Sequence, residues 1–242
     1  MDNVLIIIPT YNESESILQL LARIVLVSKT LEPKYKIDIL IVDDNSPDKT
    51  SQIALSSGIK NLHVIVQGKK GGIGPAYLAG FEYGLKGDYS YFIEMDADLS
   101  HQPEQLPQLL ASANSRTLVI GTRWIAGGAV INWPKRRRLI SRFGTAYASI
   151  VLGLDCKDLT SGYRVLPRDL LKTIELSKIR SSGYGFQIEI ALNAVRSKFD
   201  LVEVPITFIE RENGRSKMSL GIVIEAWKMV SFEGIRRLYI RR

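Results

Sequence analysis

Short, unbroken apolar runs recur through the first half of the chain, and each stops at a polar or acidic cluster. Val4–Ile8 is the clearest: every residue is β-branched or leucine, with no position left for solvent, as in a parallel strand covered on both faces. Ile37–Val42, Leu62–Val66, Tyr91–Ile93 and Leu118–Ile120 repeat the pattern. Between them the apolar spacing turns helical, as at Ile17, Leu20, Leu21 and Ile24 within 14–27. Further helices are predicted at Thr50–Ser57, Ala76–Leu85 and Pro103–Ala113. Alternation of this kind specifies an α/β fold, a mostly parallel sheet flanked by helices with right-handed crossovers. Such sheets bind ligands at the carboxyl ends of their strands.

Those ends are where the unusual residues sit. Pro9-Thr10-Tyr11-Asn12-Glu13 closes the first strand, and Asp43-Asp44-Asn45-Ser46-Pro47-Asp48 closes the second after Val42. Glu94-Met95-Asp96-Ala97-Asp98-Leu99-Ser100-His101 closes a later one. Backbone alternation puts Asp96 and Asp98 on one side of an extended segment. Two hard oxygen ligands with open coordination positions suit Mg²⁺ or Mn²⁺ shared with substrate phosphates. A polar turn with a helix cap at Ser100 is the bland alternative. The glycines of Gly68–Gly74 follow the third strand and match neither a dinucleotide fingerprint nor a P-loop. They form either a plain turn or a loop that brings N–H groups and Lys69 or Lys70 towards phosphate.

After Gly121 the character changes. Arg123, Gly127-Gly128, Trp133-Pro134 and Lys135-Arg136-Arg137-Arg138 read as one long loop, followed by a helix from Leu139 to Leu154. Asp158–Arg164 is compact and polar, and Gly183–Gln187 leads a helix over Ile188–Lys198 with Glu189 early in it. Leu201–Ile209 is predicted as a strand at a sheet edge, because Pro205 interrupts it. Arg211–Lys217 is a charged loop. From Leu220 an apolar stripe through Val223, Ile224, Trp227 and Val230, with basic residues beyond, reads as a docking helix or one lying on a membrane. The expected division is a catalytic domain over 1–219 and an amphipathic basic segment over 220–242.

A formal charge of +7 points to polyanionic partners: nucleotide phosphates, nucleic acid or an anionic membrane surface. Strand-end acidic pairs would repel a nucleic-acid backbone, and no reader motif stands beside the basic clusters, so no nucleic-acid partner is expected. Cys156 is the sole cysteine, which excludes an internal disulfide and fits a reducing compartment. With only His63 and His101 beside it, a structural zinc site is not expected. No apolar run approaches the ~18–20 residues of a membrane span, and Met1-Asp2-Asn3 does not start a signal peptide. The expectation is a cytoplasmic protein.

Taken together, Pro9–Glu13, Asp43-Asp44 and Asp96-Ala97-Asp98 resemble the GT-A glycosyltransferases of family 2. More distal signatures resemble the dolichol-phosphate mannose synthases: Gly121-Thr122-Arg123, Trp133 with Arg137 and Ile140-Ser141-Arg142, Asp158–Arg164, Phe186-Gln187-Ile188-Glu189, and Glu203–Ile206 through Arg211 to Ser216-Lys217. Ser216-Lys217-Met218-Ser219 is most similar to the actinobacterial polyprenol-phosphate mannose synthases. The likeness runs from Leu5 to Met218.

The resemblance implies inverting transfer of mannose from GDP-mannose to a dolichyl or polyprenyl phosphate. It implies a nucleotide-sugar site of Pro9, Tyr11, Glu13, Val42, Asp43, Asp44, Asp96, Ala97, Asp98, Arg123, Arg211 and Lys217. Metal contacts fall to Asp96, Asp98 and Ser100; some family members carry glutamine at the Ser100 position, so the metal preference is open. The acceptor phosphate falls to Arg123, Arg137 and Ser141, and catalysis to Asp98, Arg123, Arg137 and Arg211. No general base is expected, because a phosphate monoester with second pKa near ~6 arrives ionised. The same fold with a UDP-sugar donor is the alternative. A lipid acceptor implies contact with the cytoplasmic membrane face, made by the segment after Leu220, the basic tail and the Trp133 region, or through a membrane partner protein.

Overall fold

The computed structural model describes residues 1–181, 183–210 and 220–240. Its elements are β1 (Asp2–Thr10), α1 (Ile17–Leu31), β2 (Tyr35–Asp43), α2 (Thr50–Leu55), β3 (Leu62–Val66), α3 (Ile73–Leu85) and β4 (Tyr91–Glu94). They continue with α4 (Leu106–Ala111), β5 (Thr117–Thr122), β6 (Ala129–Ile131), α5 (Lys135–Leu152), β7 (Arg164–Pro167) and α6 (Arg168–Thr173). The last are α7 (Gly183–Arg196), β8 (Asp200–Pro205), β9 (Thr207–Ile209) and α8 (Leu220–Ile240). A seven-stranded sheet in the order β3-β2-β1-β4-β7-β5-β8 forms the centre, and β6 and β9 pair separately. Every pairing in the large sheet is parallel except those of β7 with β4 and β5.

The apolar runs explain the layering. Along β1, Leu5 and Ile7 enter one core, and Val4, Ile6 and Ile8 enter the other. β2 divides in the same way, Leu40 and Val42 against Ile37, Ile39 and Ile41. Alternation therefore gives each face an apolar set, and helices cover both. The helix α1 seals one face with Ile17, Leu20, Leu21 and Ile24. On the other, α3 approaches so closely that a Cβ at Gly84 would stand 2.3 Å from Phe92 Cε1.

Three expectations change. Lys135–Arg138 is the first turn of α5 rather than loop, because Pro134 starts the helix and these long side chains are good helix formers on an exposed face. Leu201–Ile209 is two strands: Pro205 ends β8 at the edge of the large sheet, and the chain then crosses to pair Thr207–Ile209 with β6. Ser100 caps no helix; a 3-10 turn starts beyond it at Pro103, with Gln102 in the cap position. β6 and β7 are too short to carry an alternation signal, and only their partners identify them as strands.

The α8 helix docks on α5 and α7. Ala226 and Val230 are buried, Tyr147 stacks on Trp227 at 4.9 Å, and Arg196 meets Glu233 at 2.6 Å. Among the described residues no helix is long and apolar enough to cross a membrane.

Candidate active site

One cavity of about 370 Å³ opens at the carboxyl edge of the large sheet. Its wall includes Pro9, Tyr11 and Glu13 after β1, Asp44 after β2, and Asp96, Ala97 and Asp98 after β4. Antiparallel β7 adds the loop before it: Glu94 pairs with Arg164, so Thr160 and Gly162 arrive beside the acid pair and also line the cavity. Arg137 of α5, Tyr184 and Gln187 of α7, and Phe208 and Glu210 complete that side.

The turns at the strand ends need unusual backbone. Asn12 and Asn45 hold positive φ, which asparagine tolerates. Leu99 holds φ 63° between Asp98 and Ser100, an unfavourable conformation for leucine that costs about 1–2 kcal/mol. Asp98 Oδ1 accepts the N–H of Ser100 at 3.1 Å, tightening this turn. The Asp96 N–H donates to His101 Nδ1 at 3.0 Å, so that nitrogen carries no proton. His101 is buried, stacked on Tyr163 at 4.8 Å, with Nε2 3.8 Å from Asp96 Oδ2. Burial pushes its pKa down to about 4 against the pull of Asp98, leaving a neutral ring that braces Asp96 from behind.

At the other end, Asp44 is buried and its Oδ2 accepts the N–H groups of Gly71 and Gly72 at 3.1 and 2.8 Å. The glycine loop thus gives these N–H groups to a carboxylate of the same chain. Gly72, at φ 88°, takes a conformation that suits glycine. Lys70 reaches the cavity with its ammonium 3.7 Å from the centre of the Tyr11 ring. Asp44 Oδ1 has no hydrogen-bond partner.

Some expected site residues lie off the cavity wall. Val42 is core, and Asp43 is buried, accepting from Thr10 Oγ1 at 3.1 Å and from the Ser46 hydroxyl, so it organises the two strand ends. Ser100 is buried behind the acid pair, and its hydroxyl has no partner. Ser141 is half-buried on α5 and does not line the cavity. Arg123 does not line it either. Its Nε and Nη2 grip Asp158 at 2.7 Å each, among the rings of Trp124, Trp133 and Phe208. Burial opposes that charge, but Asp158 outweighs it and holds the guanidinium protonated. Arg137 stacks on Trp133 at 4.1 Å and donates to Glu210 Oε1 at 2.5 Å. Arg211 and Lys217 lie outside the described residues.

Residue-by-residue reading gave no role to Thr160, Gly162, Tyr184, Gln187 or Glu210. The first four belong to polar or glycine-rich stretches visible in the sequence, but their shared destination depends on β7 and α7. Beneath them Glu94 is fully buried; burial raises its pKa to about 7, and Arg164 restrains the rise. Arg164 itself donates to the carbonyls of Ser161, Gln187 and Leu159.

Comparison with known proteins places this geometry. An undecaprenyl-phosphate mannosyltransferase of Micrococcus luteus is 46% identical over 96% of this chain and 97% of its own. A polyprenol monophosphomannose synthase of Mycolicibacterium smegmatis is 43% identical over 96% of this chain and 87% of its own. Among solved structures, glucosyl-3-phosphoglycerate synthase of Mycobacterium tuberculosis in complex with Mn²⁺, uridine diphosphate and phosphoglyceric acid superposes with TM-score 0.72. That match covers 96% of this chain and 78% of the other at 17% identity, a likeness of fold. The sequence model of glycosyl transferase family 2 matches residues 5–175, and with the full-length relatives it identifies this chain as a member of that family and an enzyme of the glycosyltransferase class.

Proposed function

We propose that this glycosyltransferase moves mannose from GDP-mannose to a polyprenyl phosphate, with inversion at the anomeric carbon. The names of the full-length relatives support the sugar and the acceptor class. The observation that carries the reading is that one cavity joins the β1 and β2 ends, the Asp96–Asp98 pair and Arg137.

Asp44 Oδ1, buried and unpaired, is the acceptor for a ribose or base hydrogen bond, and Tyr11 with Lys70 forms the adjoining wall. The residues fit a divalent ion: Asp96 and Asp98 both line the cavity, and the buried Ser100 hydroxyl beside them has no hydrogen-bond partner. Asp96 and Asp98 would hold Mg²⁺ or Mn²⁺, which supplies positive charge opposite the departing diphosphate. Support for a metal also comes from the Mn²⁺ in the solved fold neighbour. Arg211 and Lys217 are proposed, on sequence, as further diphosphate contacts.

Arg137 is the cation that meets the acceptor phosphate. Glu210 holds it in the cavity wall, and an incoming phosphate would take over those hydrogen bonds. The phosphate oxygen attacks already ionised, so positioning replaces proton removal. Arg123 acts indirectly, fixing the 158–162 loop and Trp133.

The lipid must come from a bilayer, and α5 with α8 supplies a contact surface. Leu139, Ile140, Phe143 and Ile150 on α5 and Trp227, Phe232 and Ile235 on α8 are exposed. Arg136, Arg138, Arg142, Lys228 and Arg236 are exposed on the same two helices, matching an anionic lipid surface. The α5 helix also carries Arg137, so lipid contact and acceptor cation share one rigid element.

Incubating the protein with GDP-[labelled mannose], a divalent ion and polyprenyl phosphate should move label into an organic-extractable product. Label transfer from UDP-glucose in place of GDP-mannose would overturn the donor assignment, and no lipid-linked product from either would overturn the acceptor.

A further inference from the structure

Lys70 and Arg137 both line the cavity, and they are held differently. Arg137 is paired with Glu210. No carboxylate among the described residues stands within ion-pair distance of Lys70. Its ammonium rests 3.7 Å from the centre of the Tyr11 ring, and its side chain is exposed. A cation–π contact at an exposed position is weak, so a stronger anionic partner can take its place. The loop beneath is fixed, because Asp44 Oδ2 already engages the N–H groups of Gly71 and Gly72 at 3.1 and 2.8 Å. Lys69 is exposed as well but does not line the cavity. Lys70 is thus the charged group that this glycine-rich loop turns towards a ligand.

Chemistry selects the ligand group. An ammonium is a compact, strongly hydrated point charge with donors only, which suits phosphate oxygens better than the mixed donor and acceptor edge of a base. Glu13, Asp44, Asp96 and Asp98 line the same cavity and would repel a diphosphate. An ion on Asp96 and Asp98 offsets that charge at one end. Lys70, beside Tyr11, offsets it at the nucleoside end.

We propose that Lys70 is a donor-binding residue whose ammonium leaves the Tyr11 ring to hydrogen-bond the diphosphate of the nucleotide sugar. This rests on the nucleotide-sugar reading above, though not on which base the donor carries. Calorimetric titration of the full chain with GDP in Mg²⁺ tests it. Lys70→Met, neutral and similar in length, should weaken GDP binding about 10-fold, and Lys70→Arg should recover most of the loss. Lys69→Met should bind GDP normally, which separates a contact from a general loss of surface charge. Raising NaCl from about 0.05 M to about 0.5 M should narrow the gap between the unaltered protein and Lys70→Met, because salt screens an exposed ion pair. Normal GDP binding by Lys70→Met, an equal loss in Lys69→Met or Lys70→Arg, or a gap that salt leaves unchanged would each overturn the proposal. A protein that binds UDP and not GDP would overturn the base assignment alone, and the same variants are then read with UDP. An unaltered protein that binds neither would overturn the nucleotide-sugar reading and this proposal with it.

Discussion

Arg123 and Arg137 both lie against Trp133, at 5.3 and 4.1 Å, yet only Arg137 reaches the cavity. The difference is the partner. Asp158 is fully buried and grips Arg123 through two nitrogens, and losing either member would strand a buried charge at about 3–5 kcal/mol. Glu210 and Arg137 are each about one-fifth exposed, so that pair can open at small cost. Glu210→Gln should therefore lower the KM for a short-chain polyprenyl phosphate about 2- to 5-fold without moving the donor KM; an increase would show that Glu210 serves the acceptor directly. Asp98→Asn should cut turnover about 100-fold or more while the circular dichroism spectrum stays unchanged, and near-full activity would remove the ion from its proposed place. Cys156 is a structural thiol: burial, with Glu203 nearby, raises its pKa to about 12. A raised pKa keeps the thiol neutral, so at pH 8 it should resist alkylation in the native protein and react on denaturation. Rapid native labelling would contradict this.

At the scale of elements, β7 matters most. As an antiparallel strand inside a parallel sheet it reverses the usual rule: the loop before it, rather than the loop after it, meets the ligand edge. The α3 helix then fixes the depth of the sheet beneath. A methyl at Gly84 would meet Phe92 Cε1 at 2.3 Å and Leu5 Cδ2 at 2.7 Å. Helix propensity favours alanine by about 1 kcal/mol, but overpacking costs about 1–3, and these close-packed core atoms have little room to shift. Gly84→Ala should lower stability by about 1–2 kcal/mol, read as a fall of a few degrees in Tm. An unchanged or higher Tm would mean that α3 moves away without penalty.

On the whole molecule, exposed apolar and basic residues gather on α5 and α8, which pack on each other, and α5 also carries Arg137 of the cavity wall. Phe143→Asp combined with Phe232→Asp should sharply reduce co-sedimentation with anionic liposomes, while turnover of a detergent-dispersed short-chain acceptor holds. Undiminished liposome binding would place the membrane contact elsewhere. The sequence alone determined the layered α/β sheet, because unbroken apolar runs such as Val4–Ile8 and Ile37–Val42 can be satisfied only by burial on both faces. It also determined the acid pair and the polar strand ends, since those residues follow directly from where the runs stop. Only the tertiary structure decided which basic groups reach the cavity and which are neutralised, and which residues Thr160, Gly162, Gln187 and Glu210 would meet. Those outcomes depend on pairings between segments far apart in the chain, Glu94 with Arg164 and Arg123 with Asp158, and local periodicity carries no information about partners at that distance.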